Sequence, residues 1–119
     1  MASCGSAPAR ELDAACEAQC YRIALEAIAN AMRHSGGATV HACLCYRADA
    51  FVLTVRDDGA GMPEALVRQG RGGHFGLQGM RERAADIGAQ FKIAGASEGG
   101  TLVELQAPAR RAYEVLQLA

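Results

Sequence analysis

From about residue 10 to Ser35 the chain is built of helix formers without a glycine, and Cys16, Cys20, Ile23, Ala24, Ala27 and Ala31 recur on one face at helical spacing. Gly36-Gly37 then supplies a helix C-terminal signal, so the stretch predicts one helix of about two dozen residues. The period changes to two in Thr39–Arg47, where Val40, Ala42 and Leu44 alternate, and again in Phe51–Arg56, where Phe51, Leu53 and Val55 do the same. With only Ala48-Asp49-Ala50 between them, the two runs predict a β-hairpin.

Helical spacing returns at Leu77, Met80, Ala84 and Ile87 and ends at Gly88. Two further strand-like runs, Gln90–Ala94 and Thr101–Ala107, flank the turn Ala96-Ser-Glu-Gly-Gly100; Pro108 closes the last, and the tail to Ala119 reads as a short helix. Between Asp57 and Gly76 the composition shifts to glycine at 59, 61, 70, 72, 73 and 76 and proline at 63. This predicts a long loop with one helical turn around Glu64–Arg68, and long loops in compact domains are functional or disordered. The order helix, hairpin, long loop, helix, hairpin is α+β: helices on one face of an antiparallel or mixed sheet, the other face open to solvent. Residues 1–10 read as a flexible start, 11–108 as the domain and 109–119 as a tail.

A length of 119 residues is enough for one domain that folds without staples. The 12 basic and 13 acidic residues leave a net charge of −1 with no basic run, which excludes the electrostatic footprint of a nucleic-acid or anionic-membrane binder. No apolar stretch approaches the ~18–20 residues of a membrane span, and the first residues lack the pattern of a secretory signal. Five cysteines, an odd number, fit a reducing compartment better than a disulfide framework, so the chain reads as cytoplasmic.

Three segments carry candidate chemistry. On the first helix Glu26, Asn30 and His34 fall within ~80° of one another, with Arg33 just outside that arc. The stripe overlaps the edge of the apolar arc, so its members need partners. They can be ordinary surface polar groups; as a metal–phosphate site, Asn30 would offer a Mg²⁺ ligand oxygen, Arg33 and His34 phosphate contacts, and Glu26 a water-polarising carboxylate. At the end of the second predicted strand stands Asp57-Asp-Gly59-Ala-Gly61, where a fixed carboxylate can accept from an exocyclic amine and the glycines let the backbone approach a ligand. An ordinary strand-ending turn has the same residues. The third segment, Gly73-His-Phe-Gly76-Leu-Gln-Gly79-Met-Arg-Glu-Arg83, leads from the glycine-rich loop into a helix whose free N–H groups suit phosphate. It lacks the Gly-Lys-Ser/Thr of a P-loop.

In this order and spacing, Glu26-Ala-Ile-Ala-Asn30-Ala-Met-Arg-His34, Asp57-Asp-Gly-Ala-Gly61, Gly76-Leu-Gln-Gly79-Met-Arg-Glu-Arg and Gly100-Thr101 resemble the GHKL ATPase superfamily over roughly residues 12–108. Tyr21-Arg-Ile-Ala-Leu-Glu26 and Gly-Met-Arg-Glu-Arg-Ala resemble, more narrowly, sensor histidine kinases that partner helix-turn-helix response regulators of the nitrate-sensing type. The resemblance implies a Bergerat ATP-binding fold and MgATP as ligand. It implies that Asn30 holds Mg²⁺, that Asp57 accepts from the adenine amino group, that Gly59 and Gly61 line the base and that Thr101 supports the adenine end. Gly76, Leu77 and Gly79 would line the phosphates, with Arg33 and His34 near them. Glu26 is the base of the hydrolysing branches. The γ-phosphoryl group would pass to a histidine on a separate dimerisation and phosphoacceptor domain of the same protein, with a response regulator downstream. The other readings are an anti-sigma-factor serine kinase of the same superfamily and a nucleotide-sensing pseudokinase.

Two departures stand out. Family members usually place a strand before the first helix, and residues 1–10 do not read as one, so the domain is expected to be a fragment cut close to that helix from a whole protein that can be membrane-anchored. None of His34, His41 and His74 lies in a phosphoacceptor context, so no autophosphorylation is expected of this chain alone. His41, Cys43 and Cys45 alternate on one strand face, but neighbours two apart on a strand are ~6.6–6.8 Å apart, too far for thiolates sharing one tetrahedral zinc at ~2.3 Å. Opposite the apolar arc of the first helix, Arg22, Leu25, Ala29 and Met32 form a second stripe. It is either covered by the tail through Tyr113, Val115, Leu116 and Leu118, or a docking surface for the helical domain, or a scatter of exposed residues.

Overall fold

The computed structural model describes residues 2–3, 10–34, 39–59, 76–95 and 100–114. In chain order the elements are β1 (Ala2–Ser3), α1 (Ala14–His34), β2 (Val40–Tyr46), β3 (Ala50–Asp57), α2 (Leu77–Asp86), β4 (Gln90–Gly95), β5 (Thr101–Pro108) and α3 (Ala109–Ala112). The five strands form one mixed sheet in the order β1-β2-β3-β5-β4, in which only the β1–β2 pair is parallel. The predicted loop between residues 60 and 75, with its helical turn, and Gly36-Gly37 lie outside the described residues.

α1 begins later than the composition suggests because Asp13 caps it. Its Oδ2 accepts from the backbone N–H groups of Ala15 at 3.1 Å and Cys16 at 3.2 Å, satisfying two donors that a helix start leaves open. Before the cap the chain is extended: Leu12 bridges Tyr113 antiparallel, Asp13 N–H donates to Ala112 O, and Glu114 N–H donates to Glu11 O. These pairings bring Ala112 and Tyr113 into the core, with 0% and 4% exposure. The strand expected to be missing before α1 is present as β1, whose two residues pair with Cys43 and Leu44. A two-residue strand is too short for any hydrophobic period to announce it.

β3 is the central strand, and the inward-facing positions it shares with β5 form rungs: Phe51 opposite Ala107, Leu53 opposite Leu105, Val55 opposite Val103. α1 and α2 cover this face through Ile23, Ala27, Leu77 and Met80. Fully burying one such side chain is worth about 1.5–3 kcal/mol, so the row of rungs under the helices is what holds sheet and helices together. On the opposite face Thr54, Glu104 and Gln106 are partly exposed and Arg56 is exposed. α2 ends in a Schellman turn at Gly88, φ 64°, with Ala89 N–H donating to Ala84 O and Gly88 N–H to Ala85 O. Arg111 adds a contact from its Nη2 to Asp86 O at 2.9 Å.

Cys16 and Cys20 are free and buried in the core, with sulfurs 3.8 Å apart. The contact with Cys16, and then burial, push the Cys20 thiol well up, so it stays protonated. Cys43 and Cys45 are disulfide-bonded, which corrects the expectation of reduced thiols on that strand and removes both sulfurs as thiolate partners for His41. Tyr21, Leu25 and Met32 are 63%, 49% and 69% exposed on the outer side of α1. Tyr113 does not cover them: its hydroxyl lies 2.7 Å from Arg47 O and 3.1 Å from Ala50 O at the β2–β3 turn. Val115, Leu116 and Leu118 lie outside the described residues.

Candidate functional site

Continuing the β3–β5 register one rung beyond Val55 and Val103 leaves the apolar row and reaches Asp57 and Thr101. Among the described residues, the buried polar or charged side chains are Asn30 at 2%, Asp57 at 4% and Thr101 at 6% exposure. A carboxylate, an amide and a hydroxyl are thus kept in an otherwise apolar layer, where buried polar groups are held by hydrogen bonds.

At the sheet end the backbone is arranged around Asp57. Its Oδ1 accepts from Gly59 N–H at 3.0 Å, which fixes the carboxylate over the turn that follows β3. The next residue fixes the turn from outside, its carboxylate Oδ1 on Asp58 accepting from Thr39 N–H at 2.9 Å. Gly100, at φ 87°, brings β5 against this turn: a Cβ there would lie 2.0 Å from Asp57 O and 3.0 Å from Asp58 Cα. Gly100 belongs to the site as a spacer. The glycine pair in the predicted turn signalled a sharp bend, but not which backbone it must pass.

The second group gathers on α1 and the start of α2. Asn30, one turn beyond Glu26, is held by Arg33, whose Nη2 donates to Asn30 Oδ1 at 2.8 Å and lies 3.7 Å from Glu26 Oε1. Gly76 is the N-cap of α2 in the left-handed region, φ 64° and ψ 19°. A Cβ on it would lie 2.5 Å from Glu26 Oε1, so the Glu26 carboxylate fills the space glycine leaves. Glu26, Gly76 and Gly79 share the wall of a cavity of about 210 Å³ with Arg22, Met80 and Arg83, and among the described residues, its own helix backbone aside, nothing stands within 4 Å of where a Gly79 Cβ would be. The Leu77 side chain is fully buried in the core, so the part expected of this residue at the ligand falls to its backbone. The His34 side chain, Gly61 and the loop from 60 to 75 lie outside the described residues.

This donor set suits a magnesium-bound polyphosphate. Asn30 presents a hard, neutral oxygen that is buried and already holds a cationic group, the guanidinium of Arg33, and such oxygens are what Mg²⁺ selects.

The site thus sits on an α+β sheet covered on one face, with polar side chains buried where β3 ends and β5 begins. The chain belongs to the family of histidine kinase-, DNA gyrase B- and HSP90-like ATPases, whose family pattern matches residues 16–111. It is 40% identical over 93 residues to the sensor protein VraS of Staphylococcus haemolyticus, a match covering 76% of this chain and 25% of that protein. The chain thus spans about a quarter of the length of the curated relatives it matches. Among solved structures it is similar to the ATP binding domain of PrrB from Mycobacterium tuberculosis, with 26% identity, a TM-score of 0.65, and coverage of 76% of this chain and 67% of that one. The catalytic domain of histidine kinase ThkA, at 16% identity, shares the fold with a TM-score of 0.72 over 90% of this chain and 76% of its own. The mixed, mostly antiparallel sheet with helices on one face is therefore the Bergerat fold that the motifs implied.

Proposed function

We propose that this chain is the ATP-binding catalytic domain of a sensor histidine kinase, working in the cytoplasm and presenting the γ-phosphoryl group of MgATP to a histidine on a phosphoacceptor helical domain of the same protein, with a response regulator downstream. The observation that carries the reading is the identity of the buried polar side chains: Asn30, Asp57 and Thr101 are three positions that the family motifs assign to nucleotide.

The chemistry follows from placement. Asp57, with one carboxylate oxygen engaged by Gly59 N–H, keeps its other oxygen to accept from the adenine amino group, and Gly59 and Gly61 let the base lie close. Thr101 supports that end from β5. Asn30 would hold Mg²⁺, which when bound neutralises phosphate charge. Arg33 and His34 serve the phosphates, and Gly76 and Gly79 give the chain room to wrap them at the start of α2. Glu26, beside Gly76 and within reach of Arg33, holds this end of α1 against α2 and is the candidate base. Phosphoryl transfer of this kind depends on positioning and charge stabilisation, and these groups supply both.

The test uses the whole protein. Incubated with γ-labelled ATP, it should acquire acid-labile, base-stable phosphate, while the 119-residue chain alone should acquire none. Acid-stable label on serine in a partner protein would support the serine-kinase reading instead.

A further inference from the structure

We propose that Arg33 is the resident cation of the Asn30 side-chain oxygen and competes with the metal for it, so that magnesium is admitted only together with a nucleotide. The inference rests on the proposed role of Asn30. An asparagine has one side-chain acceptor atom, and Arg33 Nη2 donates to it at 2.8 Å while standing 3.7 Å from Glu26 Oε1. Of the three groups Asn30 is the one that is fixed. Asn30 is 2% exposed and set in the packed side of α1, whereas the Arg33 side chain is 55% exposed and the Glu26 side chain 40%. Swinging the guanidinium away disturbs no core contact.

Magnesium held by that oxygen would set a second positive charge beside the guanidinium, and like charges at one acceptor atom repel. One of them must leave. Metal alone leaves the displaced guanidinium with the Glu26 carboxylate it already faces, whereas a nucleotide brings phosphate oxygens, to which arginine donates strong charge-assisted bonds. Arg33 therefore guards the oxygen against bare cations, stays on it when phosphates come without metal, and releases it when metal and phosphates arrive together. The Glu26 carboxylate keeps the released guanidinium near the site, which makes Glu26 a positioning residue for the exchange.

Because competition for one atom is a coupling free energy, it is read in binding. ADP is the suitable probe, since it lacks the γ-phosphate that Arg33 also serves. The dissociation constant of ADP is measured by calorimetry in excess EDTA and in saturating Mg²⁺, and their ratio is compared among wild type, Arg33→Met, Asn30→Ala and the double variant. Removing the competitor should raise the ratio at least about fivefold in Arg33→Met, in the usual range of site coupling. In the Asn30→Ala background the same substitution should leave the ratio unchanged. A ratio that does not rise in Arg33→Met overturns the proposal. So does a rise that persists without Asn30, because arginine and metal would then compete for the phosphates. If Asn30→Ala itself keeps the wild-type ratio, the assignment of Asn30 to the metal fails, and with it the ground on which this inference stands.

Discussion

A Cβ on Gly100 would lie 2.0 Å from the main-chain oxygen of Asp57, so β5 can enter beside the end of β3 only if residue 100 has no side chain. The same glycine adopts φ 87°, a conformation that L side chains rarely take. Two independent constraints thus meet on one residue, and both serve to bring Thr101 opposite Asp57. Gly100→Ala should destabilise the chain by roughly 2 kcal/mol or more, combining left-handed strain with a backbone clash. Chemical denaturation measures this, and a loss under about 0.5 kcal/mol would show that the turn relaxes freely.

The contact between Gly76 and Glu26 differs in kind, because the atom a Cβ would meet is the far end of a side chain. Gly76→Ala should cost about 1 kcal/mol from its positive φ, plus the displacement of the Glu26 carboxylate. In a Glu26→Ala background only the backbone part should remain. A double-mutant cycle on thermal or denaturant unfolding should therefore show a coupling of about 0.5 kcal/mol or more, and strict additivity would mean that the two residues do not touch.

How far the sequence could be read depends on the range of the interaction. The face of α1 that carries Cys16, Cys20, Ile23, Ala24, Ala27 and Ala31 was legible because a helix repeats its environment every 3.6 residues, and each of these residues is buried. The β2–β3 hairpin was legible for the same reason at period two. The pairing of Leu12 with Tyr113 and of β1 with β2 was not, since both join distant segments through backbone bonds that are indifferent to side chain. Asp57 and Asn30 could be named from their motifs, but nothing local to Gly100 says whose carbonyl it must pass. Nor does spacing alone reveal that Arg33 is shared between Asn30 and Glu26.

Tyr113 closes the domain by reaching Arg47 O and Ala50 O with its hydroxyl, while Arg10 stacks over its ring at 3.9 Å. Tyr113→Phe should cost about 0.5–1.5 kcal/mol, the net worth of such a bond. Burial holds the Tyr113 phenol above its ordinary value of 10.0. A raised pKa in the folded chain means the contribution is complete below the unfolded value and fades as pH climbs through the folded one. Stability measured above pH 10 should accordingly fall more steeply for wild type than for Tyr113→Phe; parallel curves would remove Tyr113 from the alkaline transition.

The proposed recognition of an adenine nucleotide by the buried carboxylate of Asp57 is read by calorimetric titration of the chain with ATP in excess Mg²⁺. Asp57→Asn is the informative variant. An asparagine Oδ1 can still accept from Gly59 N–H, so the turn and the melting temperature should be kept, while the other oxygen becomes an amide that opposes the adenine amino group. Wild type should bind ATP at one site, and Asp57→Asn should bind it at least about tenfold more weakly, the factor that 1.4 kcal/mol of lost recognition produces. No binding by the folded wild-type chain, or equal affinity in a folded Asp57→Asn variant, would show that Asp57 does not recognise the base.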